Sequence, residues 1–349
     1  MRNEGKSSKN GALVALGVDQ EKLAGLPTRL REQLREILAA RRSSSTREAY
    51  LNAWTGFAVW CRAMGREAFP ASAETVAGYL AELHSKGIAK ATIARVLTVL
   101  RLLHSGEADP TASPLVLETW RGIKRRDRRP ARRAPIVSLA DLVAMCETLA
   151  KRTSELATRD RAIVAVGWAA ATRSSELVAL DWRDAREVAQ GIELHIRSSK
   201  TDQEGRGELV ALPLYREQLA AACPVRALRE LRELTGGGDQ VAIFPRSGFG
   251  AARSRLILGT RAHREAVGRA VKRAARFAKL PGEYSSHSLR RGFATSAAGA
   301  GIEDRLIMQH GRWRSRAVLD GYIQRGKLWT DNPLLVLTAE QSKPTADTN

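Results

Sequence analysis

Cysteine is scarce in this chain: Cys61, Cys146 and Cys223 are the whole complement of 349 residues, odd in number and far apart. That excludes a disulfide framework and a CxxC metal knuckle, and it places the chain in a reducing cytosol. No apolar run approaches the roughly 18 residues that a membrane span requires, so no membrane partner is expected. The opening MRNEGKSSKNGALVALGVDQEK holds a seven-residue apolar patch of small residues followed at once by charge, which makes a poor signal peptide. A GxxxxGK[ST] loop for nucleoside triphosphates is missing, and GGGD and GFG read as plain loops because neither lies between a strand and a helix. The six histidines, at 84, 104, 195, 263, 287 and 310, show no HExxH or cysteine-paired spacing, which argues against zinc. Any chemistry is expected to run on side chains alone, with no cofactor and no metal.

Acidic residues are short as well. Against 37 Asp and Glu stand 57 Lys and Arg, a net charge of +20 with an isoelectric point near 10.7. Neutralising phosphates releases their condensed counterions, so a chain of this kind is expected to bind nucleic acid. Charge supplies affinity and does not specify a reaction. The apolar fraction of 44% is ample for a core, and the length suits two domains.

After a flexible arm over residues 1–25, residues 26–123 read as an all-helical domain. SSSTREAYLNAWTGFAVWCRAMG opens on a capping box from Ser45 to Glu48 and sets Tyr50, Trp54, Phe57 and Cys61 on one face. KATIARVLTVLRLLHSG does the same with Ile93, Val96, Leu97, Leu100 and Leu103. TRLREQLREILAARR, SAETVAGYLAELHSKG and SPLVLETWRGIK supply further helices. Residues 124–135 then form a basic linker: within 121–133 eight residues are basic and one is acidic, with prolines at 130 and 135. Such a run repels itself and reads as extended. A solvated tether would explain it, and so would a strap across a phosphate backbone made by Lys124, Arg125, Arg126, Arg128, Arg129, Arg132 and Arg133.

The stretch 136–340 mixes helices with one β-hairpin, in which IELHIRS, with Ile192, Leu194 and Ile196 on a shared face, pairs with GELVALP. The fold class is therefore mainly α with a small β-sheet. Asn332 and Pro333 begin a short apolar helix near 332–339, and residues 341–349 read as a disordered tail.

Phosphodiester chemistry needs cations on the non-bridging oxygens, an in-line nucleophile and an acid for the leaving alkoxide. In AATRSSEL, Arg173 and Glu176 are three apart, so the carboxylate can orient the guanidinium. In SSHSLRRGFAT, His287 and Arg290 share that spacing, which gives two arginines to clamp one phosphate. Lys200, in SSKTDQEGRG, lies at the mouth of the hairpin turn. Taken singly these are equally a surface ion pair, a core histidine and a turn lysine. GRWRSRAVLDGYIQRG adds Trp313 and, nine residues on, Tyr322, one of five tyrosines. Nine residues of unbroken helix would put the two on opposite faces; if both serve one site, as the resemblance given below implies, the helix is predicted to start after Trp313, with Ser315 as its cap. His310 is then structural, and Val318 and Leu319 anchor the tyrosine's helix.

The order Arg, Lys, His-x-x-Arg, Trp, Tyr in the second half of a basic two-domain chain resembles the tyrosine site-specific recombinases. The likeness runs from about residue 26 to 340 and is strongest over 160–326. Thr172, where a leucine in GLR is common, departs from the pattern. The resemblance implies a core-binding and a catalytic domain that close on duplex DNA as a C-shaped clamp. It implies that Tyr322 forms a 3'-phosphotyrosyl bond, that Arg173 and Arg290 hold the phosphate, and that Lys200 protonates the 5'-oxygen. His287 would take the tyrosine proton, Trp313 would donate its indole N–H, and Glu176 would buttress the first arginine. It further implies an inverted-repeat DNA site, a Holliday junction, a monomer in solution that becomes a homotetramer on DNA through the 332–339 helix, and a bacterial or phage cytoplasm with the protein on the nucleoid. A type IB topoisomerase-like nicking-closing enzyme and a non-catalytic DNA-binding protein of the same fold are the rival readings.

Overall fold

A computed structural model describes residues 44–104, 109–127, 134–197 and 207–323, with positions 332 and 334. The chain divides into two compact units, Met1–Ala131 and Arg132–Asn349.

In the first unit the helical periodicities become four helices among the described residues: α1 (Ser44–Ala63), α2 (Ala73–Ser85), α3 (Lys90–Leu103) and α4 (Pro114–Arg126). Phe57 and Cys61 of α1 meet Val76 and Leu80 of α2 and Ile93, Val96 and Leu100 of α3 in one buried cluster, with Trp54 at its edge. Ser72 caps α2 by accepting from the Thr75 N–H at 3.2 Å. The side chain of Ser45, and the helix expected over TRLREQLREILAARR, lie outside the described residues. Helix α4 runs to Arg126, so Lys124, Arg125 and Arg126 are helical rather than extended. Three cations in a last turn are favoured by the partial negative charge of a helix C-terminus, which offsets their mutual repulsion.

The second unit is built around α6 (Glu155–Ala169), which is buried on nearly every side. Its second half, residues 162–169, is apolar all round and must be surrounded. Packed on it are α5 (Leu139–Ala150), α8 (Pro224–Thr235), α9 (Glu265–Phe277) and α10 (Ser286–Gly299). The charged residues near its start are satisfied internally: Asp160 bridges Arg159 at 2.8 Å and Arg273 at 2.6 Å. Short helices α7 (Ser174–Val178), α11 (Asp304–Gly311) and α12 (Arg316–Ile323) carry the chain past one end of α6 and α10.

The expected hairpin is present, with β2 (Gly191–Ile196) antiparallel to β3 (Glu208–Pro213) and Ile192 opposite Leu212. Ile192, Leu194 and Ile196 are all buried, as their alternation requires. The sheet has a third strand that the pattern hides, β1 (Ala185–Val188), whose four residues are too few to show a period. A second, two-stranded sheet pairs β4 (Arg246–Ser247) with β5 (Leu256–Ile257). Gly191 is obligatory at the β1–β2 turn, because a Cβ there would meet the Leu212 carbonyl oxygen at 2.0 Å. Among the described residues no helix is long and apolar enough to cross a membrane.

Candidate active site

Where α6 ends, Ala171 enters the left-handed region at φ 46° and turns the chain so that Arg173 becomes the N-cap of α7. Arg173 and Glu176 are therefore not neighbours along a helix face, as the spacing suggested. The acid instead reaches back over the helix start, accepting the Arg173 backbone N–H at 2.9 Å and its Nη1 at 2.5 Å. Glu176 is 3% exposed. Burial by itself would raise its pKa, but the Arg173 N–H, the charge of Arg312 and the Arg173 guanidinium together bring it below the ordinary carboxylate value.

Helix α10 delivers the second arginine. Its first turn is capped by Ser285, whose backbone N–H donates to Ser288 Oγ at 3.0 Å. Its middle lies against the segment before α5, where a Cβ on Gly292 would stand 1.9 Å from the Val137 carbonyl oxygen. That close approach sinks Arg290 until it is 3% exposed. Arg290 Nη1 donates to the Ala171 carbonyl, while Nη2 is buried with no hydrogen-bond partner. Burial, followed by the charge of Arg173, pulls its pKa down to about 9, with Glu176 opposing. A buried guanidinium with an unmatched donor is unfavourable until an anion arrives. His287, one turn earlier, is exposed, and its pKa is lowered by partial desolvation and then by Arg290, Arg173 and Arg291. The imidazole is accordingly neutral at pH 7, the state in which it can accept a proton.

The segment 311–323 confirms the predicted break. Helix α11 stops at Gly311, Arg312 takes the left-handed conformation at φ 58°, ψ 43°, and the Trp313 N–H closes the turn on the Met308 carbonyl at 2.9 Å. Helix α12 then starts at Arg316, with the Leu319 N–H donating to the carbonyl of Ser315 at 3.3 Å. Because the helix is interrupted, Trp313 and Tyr322 meet, with ring centroids 6.1 Å apart at 58°. Tyr322 is half-buried beside Leu319, Ile323 and Ile307, its carbonyl accepts from Thr295 Oγ1 at 2.9 Å, and the Arg291 guanidinium lies 5.9 Å from its ring. Leu319 anchors this helix as expected, but Val318 does not: it is 50% exposed. His310 is structural. Its Nε2 lies 2.7 Å from the Ala169 carbonyl and its ring stacks on Phe293 at 4.7 Å.

Arg173, Glu176, His287, Arg290, Trp313 and Tyr322 thus converge on the turn at Ala171 from α7, α10 and the α11–α12 segment. Lys200 lies outside the described residues, between the paired strand ends Ile196 and Glu208. Of the basic linker set, Lys124, Arg125 and Arg126 are exposed on the last turn of α4, while Arg128, Arg129, Arg132 and Arg133 lie outside the described residues. Arg312 joins the site without having been foreseen: its Nη2 lies 3.3 Å from Glu176 Oε2. The available signal was an arginine directly after Gly311, at a point where the chain must reverse and glycine is usual.

A mostly helical unit thus gathers two arginines, a histidine, a tryptophan and a tyrosine around one turn, with a buried guanidinium donor of Arg290 left unmatched. Residues 138–327 match the family model described as the phage integrase family, and the chain belongs to that family: it is a tyrosine recombinase. An integrase/recombinase xerD homolog of Selenomonas ruminantium is 31% identical over 312 residues, which cover 88% of this chain and 89% of that protein. The fold is similar to that of the XerH site-specific recombinase bound to palindromic difH substrate in a post-cleavage complex. That match has a TM-score of 0.56 at 15% identity, over 96% of this chain and 97% of that one. A lambda integrase tetramer bound to a Holliday junction also matches, at TM-score 0.56 and 14% identity, over 100% of this chain and 90% of that one.

Proposed function

We propose that this enzyme cuts and rejoins duplex DNA by the attack of the Tyr322 phenolic oxygen on a scissile phosphorus. The new bond is a 3'-phosphotyrosyl ester and the bond that breaks is that to the 5'-oxygen. His287 receives the phenolic proton, Lys200 gives a proton to the departing 5'-oxygen, and Arg173 and Arg290 neutralise the non-bridging oxygens. Trp313 adds its indole N–H, and Glu176 holds Arg173. The phosphotyrosyl link keeps the energy of the broken ester for religation, so the sequence of steps has no place for ATP or a metal. The observation that carries this reading is the Nη2 of Arg290, buried without a partner and set beside Arg173, Trp313 and Tyr322.

The remaining assignments follow the same reading. The first unit binds the DNA core site, and the basic run from Lys124 to Arg133 straps the phosphate backbone. Two duplexes with inverted-repeat sites are joined in a homotetramer through a Holliday junction, with the apolar segment near 332–339 exchanged between protomers. Within the family, the segments HIRSSKT and IMQHGRW favour a kinship with the phage Cre recombinase. The test is a nicked suicide duplex drawn by selection from genomic or random DNA. Wild type should form an SDS-stable adduct that Tyr322→Phe lacks while it still binds the duplex; absence of an adduct from wild type on its selected site would remove the catalytic reading. Strand exchange between two matched sites separates recombination from nicking and closing of a single duplex.

A further inference from the structure

The clamp just described gives Arg312 no task, yet Arg312 is the most heavily committed side chain at its back. The residue holds a left-handed backbone that side chains with a Cβ avoid. Its side chain is 1% exposed, and a buried guanidinium is tolerated only when it is paired. Nη1 donates to the His310 carbonyl at 3.1 Å; Nη2 donates to the Ala170 carbonyl at 3.1 Å and lies 3.5 Å from that of Ala171 and 3.3 Å from Glu176 Oε2. Nε is buried with no partner. Arg312 therefore ties together the other left-handed joint, at Ala171, and the carboxylate that holds Arg173. Glu176 stands between two guanidinium groups: Arg173, whose side chain is 23% exposed, on the solvent side, and Arg312 sealed behind it.

We propose that Arg312 is a positioning residue, which fixes the Glu176 carboxylate from behind so that Arg173 is presented to the scissile phosphate in a single orientation. The proposal rests on Arg173 acting as a phosphate clamp. Without Arg312 the acid would keep one cation in place of two, and the carbonyls of Ala170 and Ala171 would lose their shared donor. Burial lowers the pKa of Arg312, and Glu176 is the group that chiefly restores it, which is the reciprocal of the hold of Arg312 on Glu176. The charged groups facing Glu176 are Arg173 from its own turn, Arg312 from the α11–α12 turn, Arg290 from α10, and Arg197 and Arg261 across the cavity it lines beside Leu180. Glu208 of β3 acts on Arg312 in the same sense as Glu176, and His287 faces Arg173 and Arg290.

The experiment compares Arg312→Gly and Arg312→Lys with wild type in single-turnover cleavage of the suicide duplex across pH 5.5 to 8, alongside duplex Kd and Tm. Glycine accepts the left-handed backbone, so Arg312→Gly removes the side chain without adding backbone strain. Expected is a fall in cleavage rate of about 10- to 100-fold at pH 7, as for a misplaced catalytic group. Duplex Kd should be little changed, the loss should deepen as pH falls because Glu176 is no longer kept ionised, and Arg312→Lys should recover part of the rate. Cleavage by Arg312→Gly at the wild-type rate with the wild-type pH profile would overturn the proposal. So would equal losses of cleavage, binding and Tm with no change of profile, the mark of a core plug. A carboxyl carbon titration of Glu176 in DNA-free protein provides a readout independent of activity. Its midpoint should lie below 4.5 in wild type and rise in Arg312→Gly. An unmoved midpoint refutes the hold of Arg312 on Glu176 even if the cleavage reading itself were to fail, a failure that would show instead as no adduct from wild type.

Discussion

Arg290 lies over Trp313, its guanidinium carbon 4.1 Å from the centre of the indole ring. The tryptophan is thus the floor on which the buried arginine rests as well as the proposed donor to the phosphate, and it is 6% exposed within its own small core. Trp313→Ala removes ring and floor together and is expected to destabilise the second unit by about 3–5 kcal/mol. It should slow cleavage more than it weakens duplex binding, because the group lost is the proposed donor to the reacting phosphate. Trp313→Phe keeps an aromatic face and discards the N–H, so it should retain most of the stability and lose part of the cleavage rate. Thermal melts paired with suicide-duplex kinetics separate the two contributions.

Gly311 is required by that same ring. A Cβ at position 311 would stand 1.7 Å from Trp313 Cζ3, inside any tolerable contact, whereas a Cβ on Gly321 in α12 meets nothing within 4 Å. Gly311→Ala is expected to cost about 1–3 kcal/mol and to displace the indole, with a matching loss of adduct formation. Gly321→Ala should instead stabilise by up to about 1 kcal/mol, since it replaces glycine within a helix. Denaturant titration of the two variants should move the midpoint in opposite directions.

His287 offers a pH signature. Its pKa in the fold is lowered from 6.5, by desolvation first and then by Arg290, Arg173 and Arg291. The stabilisation tied to the neutral imidazole is therefore complete above 6.5 and is lost as pH falls through the lowered folded value. In DNA-free protein the His287 ring protons should titrate with a midpoint below 6.5 by NMR, and in the DNA complex the phosphate charge should move that midpoint upward. Cleavage should weaken on the acid side as the proposed proton acceptor fills.

Glu176→Gln puts both of its arginines at risk. Arg312 is sealed from water, so an amide at position 176 leaves a buried cation without its counter-charge, an arrangement that costs about 3–5 kcal/mol where it has been broken elsewhere. The expected outcome is a lower Tm together with loss of cleavage, while Arg173→Lys, which leaves Glu176 paired with Arg312, should lose cleavage with a smaller drop in Tm.

Long-period features of the fold were plain in the sequence, and joints were not. The apolar faces of α1 and α3 and the alternation of β2 each repeat several times, so Phe57, Ile93 and Leu194 announce their burial. Strand β1 offers four residues and β4 and β5 two each, too few for any period, and their pairing is set by contacts distant in sequence. The break before α12 could be inferred because a continuous helix would have separated Trp313 from Tyr322, two residues that the family resemblance places in one site. Val318 was misplaced for want of the axis about which α12 rotates, which depends on where Thr295 and Ile307 lie. The pairing of Arg173 with Glu176 was legible, whereas its form was set by the left-handed Ala171, which leaves no trace in composition. Arg312 was hidden for a like reason: its place after Gly311 marks a turn, but which groups its side chain meets there is set by Ala170, Ala171 and Glu176, far away in the sequence.

The residues that lead into α5 hang from the helix that carries His287 and Arg290. The Arg291 Nη1 holds the Ala134 carbonyl at 2.7 Å, the Val137 N–H donates to Ser288 at 3.0 Å, and the Val137 carbonyl, which accepts from Trp168 Nε1 at 2.8 Å, is the atom against which Gly292 is pressed. Ala134 directly follows the basic run in the sequence, and this hydrogen bond fixes it to α10. The helix that carries the proposed proton acceptor and the proposed phosphate clamp is therefore also the beam from which the approach to α5 is hung.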